Sequence, residues 1–337
     1  MSAYREPRRR SPPLPVPRGP LSSEVVTALR TGPDHPIADL DTTAADPFGD
    51  DLQLALYVLY ELHYQGFADV DEECEWDPAL LGLRRSLERP FLEALRAGAR
   101  TEGDVDTVLA GLLVEPVGDD GNSVSHFLRK DGELWQLREY AALRSLYHLK
   151  EADPHAWVIP RLYGRAKAAM VAVEFDEFGG GREADVHARL YADLMTDLSL
   201  ETAYGHYLDV APADVLATVN LMSLFGLHRS LRGALVGHFA AVEVTSSPGS
   251  RRLAAALKRV GAGEAAQRFY DEHVEADAVH EQVVRRDVIG GLLADEPHLA
   301  SDVAFGIEAT GLVEDRLAAR LLAAWRSDST ALRAPLD

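Results

Sequence analysis

His273, Asp277 and His280 stand in the run FYDEHVEADAVHEQ at the spacing i, i+4, i+7. At about 100° per residue, an α-helix carries three such side chains within roughly 60° of one another. Two imidazoles and a carboxylate on one stripe make a poor hydrophobic face and a good metal-binding face, and the donor set suits iron, manganese or zinc. The competing reading is a solvated, charged helix side, because Glu272, Glu275 and Glu281 lie nearby. A single His-x-x-x-Asp would favour that reading; the second histidine in register brings the metal reading level with it.

A metal on this stripe needs donors from facing helices, as in bundles that build di-metal sites from inward carboxylates and histidines. Glu243 is the strongest partner. It sits between Val242 and Val244 in an apolar helical run, where a lone carboxylate is costly unless paired or coordinated; the alternative is a Glu that snorkels near a helix end. Glu177 and His187 flank Gly179-Gly180-Gly181, and a glycine hinge lets both point inward. Glu151 shares a face with His148 and His155 where Pro154 breaks a helix, and an ordinary last-turn Glu would also suit that place. Ferritin-like di-iron sites use Glu-x-x-His on two helices. None of the 12 histidines has Glu three residues before it, which argues against such a site.

Around these residues the chain reads as all-α. Residues 1–48 are Pro- and Arg-rich and polar, and read as a disordered arm. Residues 49–130 read as an N-terminal helical segment packing on a core at 131–330, with 115–131 as a loop. Helical periodicity in the core covers about 133–153, 159–178, 183–198, one long run from 213 to 246, then 250–260, 263–293 and 297–325. No βαβ pattern or repeat is visible. On the stripe of Glu243 lie Phe239, Val236 and Arg232. Phe239 and Arg232 are read as substrate-facing, Arg232 as a fork for a carboxylate, against the blander reading of an Arg paired with a surface acid.

Composition narrows the function classes. The 337 residues are 47% hydrophobic, without an apolar run of 18 residues or an N-terminal apolar signal segment, so a soluble cytoplasmic protein without membrane partners is expected. The formal net charge of −20 argues against nucleic acid as a partner. The single cysteine, Cys74, excludes an internal disulfide and cysteine-rich metal ligation; its acidic surroundings make it a poor nucleophile. No P-loop, dinucleotide fingerprint or Gly-x-Ser-x-Gly elbow is present.

Glu151, Glu177 with His187 ten positions on, Glu243, and thirty positions after it His273-x-x-x-Asp277-x-x-His280, together with the phrases LYELHYQGF, KEADPHAW and EFGGGR, resemble the haem-oxygenase-like di-iron oxidases and oxygenases, the iron-containing redox enzymes. The likeness covers roughly residues 50–325. It implies a haem-oxygenase-like bundle of about seven core helices with an N-terminal helical extension. It also implies two Fe(II)/Fe(III) ions held by Glu151, Glu177, His187, Glu243, His273, Asp277 and His280, O2 as co-substrate, and a homodimer. Glu151 is the position the family uses variably. The four carboxylates of that set would offset the charge of two ferrous ions, giving a buried cluster close to neutral. The expected activity is O2-dependent oxygenation of a small metabolite, as N-oxygenation of an amine in specialised metabolism, with electrons from an external donor. N-oxygenating relatives share the carboxylate at the Glu151 position. The alternatives are oxidative desaturation, decarboxylation or C–C cleavage of an amino or fatty acid at the same site, and a non-catalytic metal-binding helical protein. A thiaminase-like hydrolase would need a pocket cysteine that Cys74 does not supply.

Overall fold

A computed structural model describes residues 11–38, 40–99, 104–114 and 121–336, with only the backbone of 275–279 described. The first part comprises α1 (Pro20–Thr31), α2 (Asp50–Glu61), α3 (Pro78–Gly98), α4 (Val105–Leu112) and α5 (Val124–Lys130). Then come α6 (Leu134–His148), the single turn α7 (Asp153–Ala156), α8 (Gly164–Glu177), α9 (His187–Asp197) and α10 (Ala213–Leu227). The chain closes with α11 (Arg232–Arg259), α12 (Glu264–Val283), a π-helical stretch at Val284–Ile289, α13 (Gly290–Asp295) and α14 (Ala300–Arg326). No strand occurs among the described residues.

α11 is the spine. It packs along α12 on one side and α14 on another, while α9 covers α12 and α10 covers α14. The contact with α14 is a backbone contact: a Cβ on Gly237 would overlap the Val303 carbonyl, and one on Gly306 would overlap the Ala234 carbonyl. Only glycine lets the two helices cross that closely. One cluster of buried apolar residues extends from Leu21 to Leu332. No helix among the described residues is long and apolar enough to cross a membrane.

Three expectations are corrected. Residues 11–38 and 40–48 are not a disordered arm. α1 buries Leu21, Val25, Ala28 and Leu29, and Asp51 accepts the Leu21 and Ser22 amides at 2.9 and 2.8 Å. The apolar spacing of this helix is hidden by the prolines and arginines before it. Residues 1–10 lie outside the described part. The long helix expected at 213–246 is two, separated by extended His228 (φ −101°, ψ 114°) and a 3-10 turn. The second runs on through Pro248 to Arg259 and absorbs the separate helix expected at 250–260. Within the expected loop at 115–131, Val124–Lys130 is helical, started by the Ser123 hydroxyl accepting the His126 amide; 115–120 lie outside the described residues.

Candidate metal centre

Five pieces of chain bring the donors together. α8 ends on Glu177, and Gly179, Gly180 and Gly181 follow with φ of 70°, 60° and 80°. This left-handed run is open to glycine at little cost. It turns the chain so that α9 begins at His187, whose Nδ1 stands 2.7 Å from Glu177 Oε2. Glu151 lies in the turn between α6 and α7, beside Ala152 at φ 74°, a conformation uncommon for a residue with a Cβ. That turn is anchored from behind. Lys150 Nζ donates to Glu61 Oε2 of α2 at 2.6 Å, and both side chains are 1% exposed. Tyr204 donates to the other Glu61 oxygen at 2.6 Å. Glu243 comes from α11, His273 and His280 from α12.

The result is two donor groups. One atom each from Glu151, Glu177, His187 and His273 lies within 4.8 Å of the others, and the same holds for Glu177, Glu243 and His280; all are buried. Glu177 belongs to both. Asp277 lies on α12 between His273 and His280, and its side chain is outside the described residues. A cavity of about 20 Å3 sits where Glu151, Glu177, Glu243 and His273 converge, enough for one water-sized occupant.

Hydrogen bonds on the outer sides fix the imidazoles. His273 Nδ1 donates to the Phe269 carbonyl at 2.7 Å, so Nε2 is the basic nitrogen, 3.7 Å from Glu151 Oε1. His280 Nε2 is 3.1 Å from Asp176 Oδ2, and its Nδ1 is 3.1 Å from Glu243 Oε2. With Nε2–H donated to Asp176, Nδ1 faces the carboxylates. Ligating histidines use such outer partners to set tautomer and orientation. His148 Nδ1 lies 2.7 Å from Glu151 Oε1.

The site is polar beyond what its own hydrogen bonds satisfy. Glu151 Oε2 and both Glu174 oxygens are buried without a hydrogen-bond partner, and His187 Nδ1, though close to Glu177, is not aligned for one. Burial opposes the charge on Glu151, yet the charge and hydrogen bond of His148 lead in holding its carboxyl well below the ordinary range. Burial works against protonation of His187 too, but adjacent Glu177 raises its pKa. Glu174 is pushed up to about 9 by burial and then by Glu177, Glu243 and Asp153. Orphaned buried donors and crowded carboxylates fit a bound cation, and a carboxylate–imidazole set fits iron.

A larger cavity of about 420 Å3 opens from Glu151, His148 and His273 outward between α6, α11 and α14. Arg232 and Phe239, expected to face substrate, do not line it. Arg232 is paired with Glu296 and donates to the Arg229 carbonyl. Phe239 is fully buried, against the His155 ring at 5.1 Å. The break at His228 starts α11 later than one continuous helix would, so Arg232 sits in its first turn beside the chain leading to α14. Val242 and Thr245 line the cavity instead. Sequence reasoning passed over Asp176, Glu174 and the role of His148. Asp176 adjoins Glu177 in FDEF without a spacing to mark it, and Glu174 stands one helical turn before Glu177, as an exposed acid on the same helix also could.

Residues 138–315 match the model of a family described as iron-containing redox enzyme. No curated protein matches the chain.

Proposed function

The chain belongs to the iron-containing redox enzyme family and is an iron-dependent oxidoreductase; beyond that, we propose that it is a non-haem di-iron oxygenase that uses O2 to N-oxygenate an amine of a small metabolite. The observation that carries the di-iron reading is the pair of buried donor groups sharing Glu177. Glu177, common to both groups, would help to hold either ion. Bound ferrous iron would supply electrons to O2 and open coordination positions. The surrounding residues would do the rest. The Phe269 carbonyl and Asp176 hold His273 and His280 with one nitrogen inward, and the apolar walls of the cavity limit water around the reacting atoms.

N-oxygenation is the finer choice because Glu151, where the N-oxygenating enzymes it resembles carry an extra carboxylate, stands in the first donor group. Reducing equivalents would come from an external donor. The test is anaerobic ferrous titration followed by 18O2 with a panel of primary amines, read by mass spectrometry. Two irons per chain and 18O on nitrogen support the reading. One iron per chain would sink the di-iron assignment, and 18O only on carbon or in water would move the reaction to C–H or C–C oxidation.

A further inference from the structure

Nine large apolar side chains are exposed among the described residues, and three of them, Val171, Phe175 and Phe178, share one face of α8 and its C-cap, at 43, 55 and 37% exposure. The spacing i, i+4, i+7 keeps them within roughly 60° of one another. Ala168 and Ala172 complete that face, exposed and too small to hinder a close neighbour. The opposite face of the helix is already packed and carries Glu174 and Glu177 to the metal centre. An apolar stripe on the outside of such a helix is not satisfied within the chain, and marks an interaction surface. The stripe is also ordered about its own middle. Arg165 stands six positions before Val171 and Asp176 five after it. Eleven residues apart, the two lie about 20° from each other around the helix axis, on one flank of the stripe. Both are open, with side chains 61 and 59% exposed. Arg165 uses Nε on Asp287 and Nη2 on the Arg286 carbonyl, and its Nη1 has no acceptor among the described residues.

We propose that α8 is the interface between two copies of this chain, packed antiparallel about a two-fold axis near Val171, with Arg165 of each copy on Asp176 of the other. A two-fold contact needs a self-complementary patch. An axis perpendicular to both helices sets like flanks side by side with their ends exchanged, which brings Arg165 level with Asp176 twice over. A second copy fits this face better than an unlike partner, because the apolar centre and both charges stand on one helix at matched distances from its middle. Two chains at net charge −20 repel, and α8 exposes a single acid, Asp176, so this face adds little local repulsion. The 14 residues of α8 span only about 21 Å, and a reversible, concentration-dependent dimer is expected of so small a contact. Asp176 Oδ2 also lies 3.1 Å from His280 Nε2. The second copy therefore reaches the metal centre: its Arg165 fixes the carboxylate that orients His280. The interface itself does not depend on bound iron.

The test is sedimentation velocity of the full chain over a hundredfold range of concentration. The wild type is expected to pass from one to two chain masses. Phe175→Glu places a charge in the apolar centre and should weaken association at least a hundredfold; as an outward-facing change it should leave the helical circular dichroism signal at the wild-type level. Arg165→Asp and Asp176→Arg each set like charges against each other twice in a symmetric pair, and each alone should weaken association at least tenfold. Mixed with one another, the two variant chains restore both opposite-charge contacts, and the mixed pair should associate within about threefold of wild type. A merely misfolded variant would not be rescued by mixing. A wild-type chain that stays monomeric throughout, a Phe175→Glu chain that associates as tightly as wild type, or a mixture no tighter than its components would each overturn the proposal.

Discussion

At the residue scale, hydrogen bonds decide which histidine nitrogens are available. Beside the centre, the Thr310 hydroxyl donates its one proton to the Gly306 carbonyl at 2.7 Å, so it can only accept from His238 Nδ1 at 2.9 Å. His238 is thus a neutral Nδ1–H tautomer, and burial pushes its pKa down to about 3. In the unfolded chain the same imidazole protonates near pH 6.5. Between these values the unfolded state binds more protons, so this residue's contribution is complete above about pH 6.5 and is lost as pH falls toward 3. The slope approaches about 1.4 kcal/mol per pH unit. In urea unfolding of iron-free protein, going from pH 7 to 5.5 should cost the wild type about 1 kcal/mol more than His238→Asn, which keeps a donor for Thr310 and does not titrate. Equal losses would contradict it. The ligand residues make a sharper forecast. Glu177 lies in both donor groups and His187 in one. Glu177→Ala should abolish iron uptake, whereas His187→Ala should leave about half. Both residues were legible as a pair flanking three glycines. Asp176 was not, because an acid next to a buried acid looks like surface until the helix phase places it on His280.

At the element scale, the centre depends on joints that chemistry-bearing residues do not reveal. The turn holding Glu151 is tied to α2 through Lys150 and Glu61. Removing one partner leaves the other charge buried and uncompensated, a loss of about 3–5 kcal/mol. Lys150→Met is therefore expected to lower unfolding free energy by that much, and Lys150→Met with Glu61→Leu to recover most of it. A double variant no better than the single would mean that the pair is not the joint. The α11–α14 crossing sits on Gly237 and Gly306. Periodicity located both helices, since their apolar stripes repeat at helical spacing. It overran the break at His228, because the apolar pattern continues across residues 213–246 while the backbone turns. Arg232 shares a helix with Glu243 as the stripe required, but it stands in the first turn of α11 and is found on Glu296. α1 was missed for the opposite reason: its apolar stripe is short and follows a Pro/Arg-rich run that reads as polar tail.

At the scale of the whole molecule, the donors are spread over nearly 130 positions of sequence, from Glu151 to His280, and meet only when α6, α8, α9, α11 and α12 are all in place. Spacing within α12 was readable as one helix face. The convergence of the other elements on it is a property of the packed chain, and pattern resemblance rather than local periodicity pointed to it. The price of this design is a core that gathers Glu151, Glu174, Glu177 and Glu243 in a chain already at net charge −20. Without a cation, these carboxylates repel or take up protons. An ion that binds the folded chain and has weak affinity for the unfolded one stabilises by mass action, about 2.7 kcal/mol at a hundredfold excess over its dissociation constant. For a chain of this size that is roughly a 4 °C rise in melting temperature. Anaerobic ferrous iron should produce a rise of that order, a chelator should reverse it, and Glu177→Ala should show neither. A wild-type melt indifferent to both ferrous iron and chelator would mean that the acidic core is held by protons instead, and the metal assignment would fall with it.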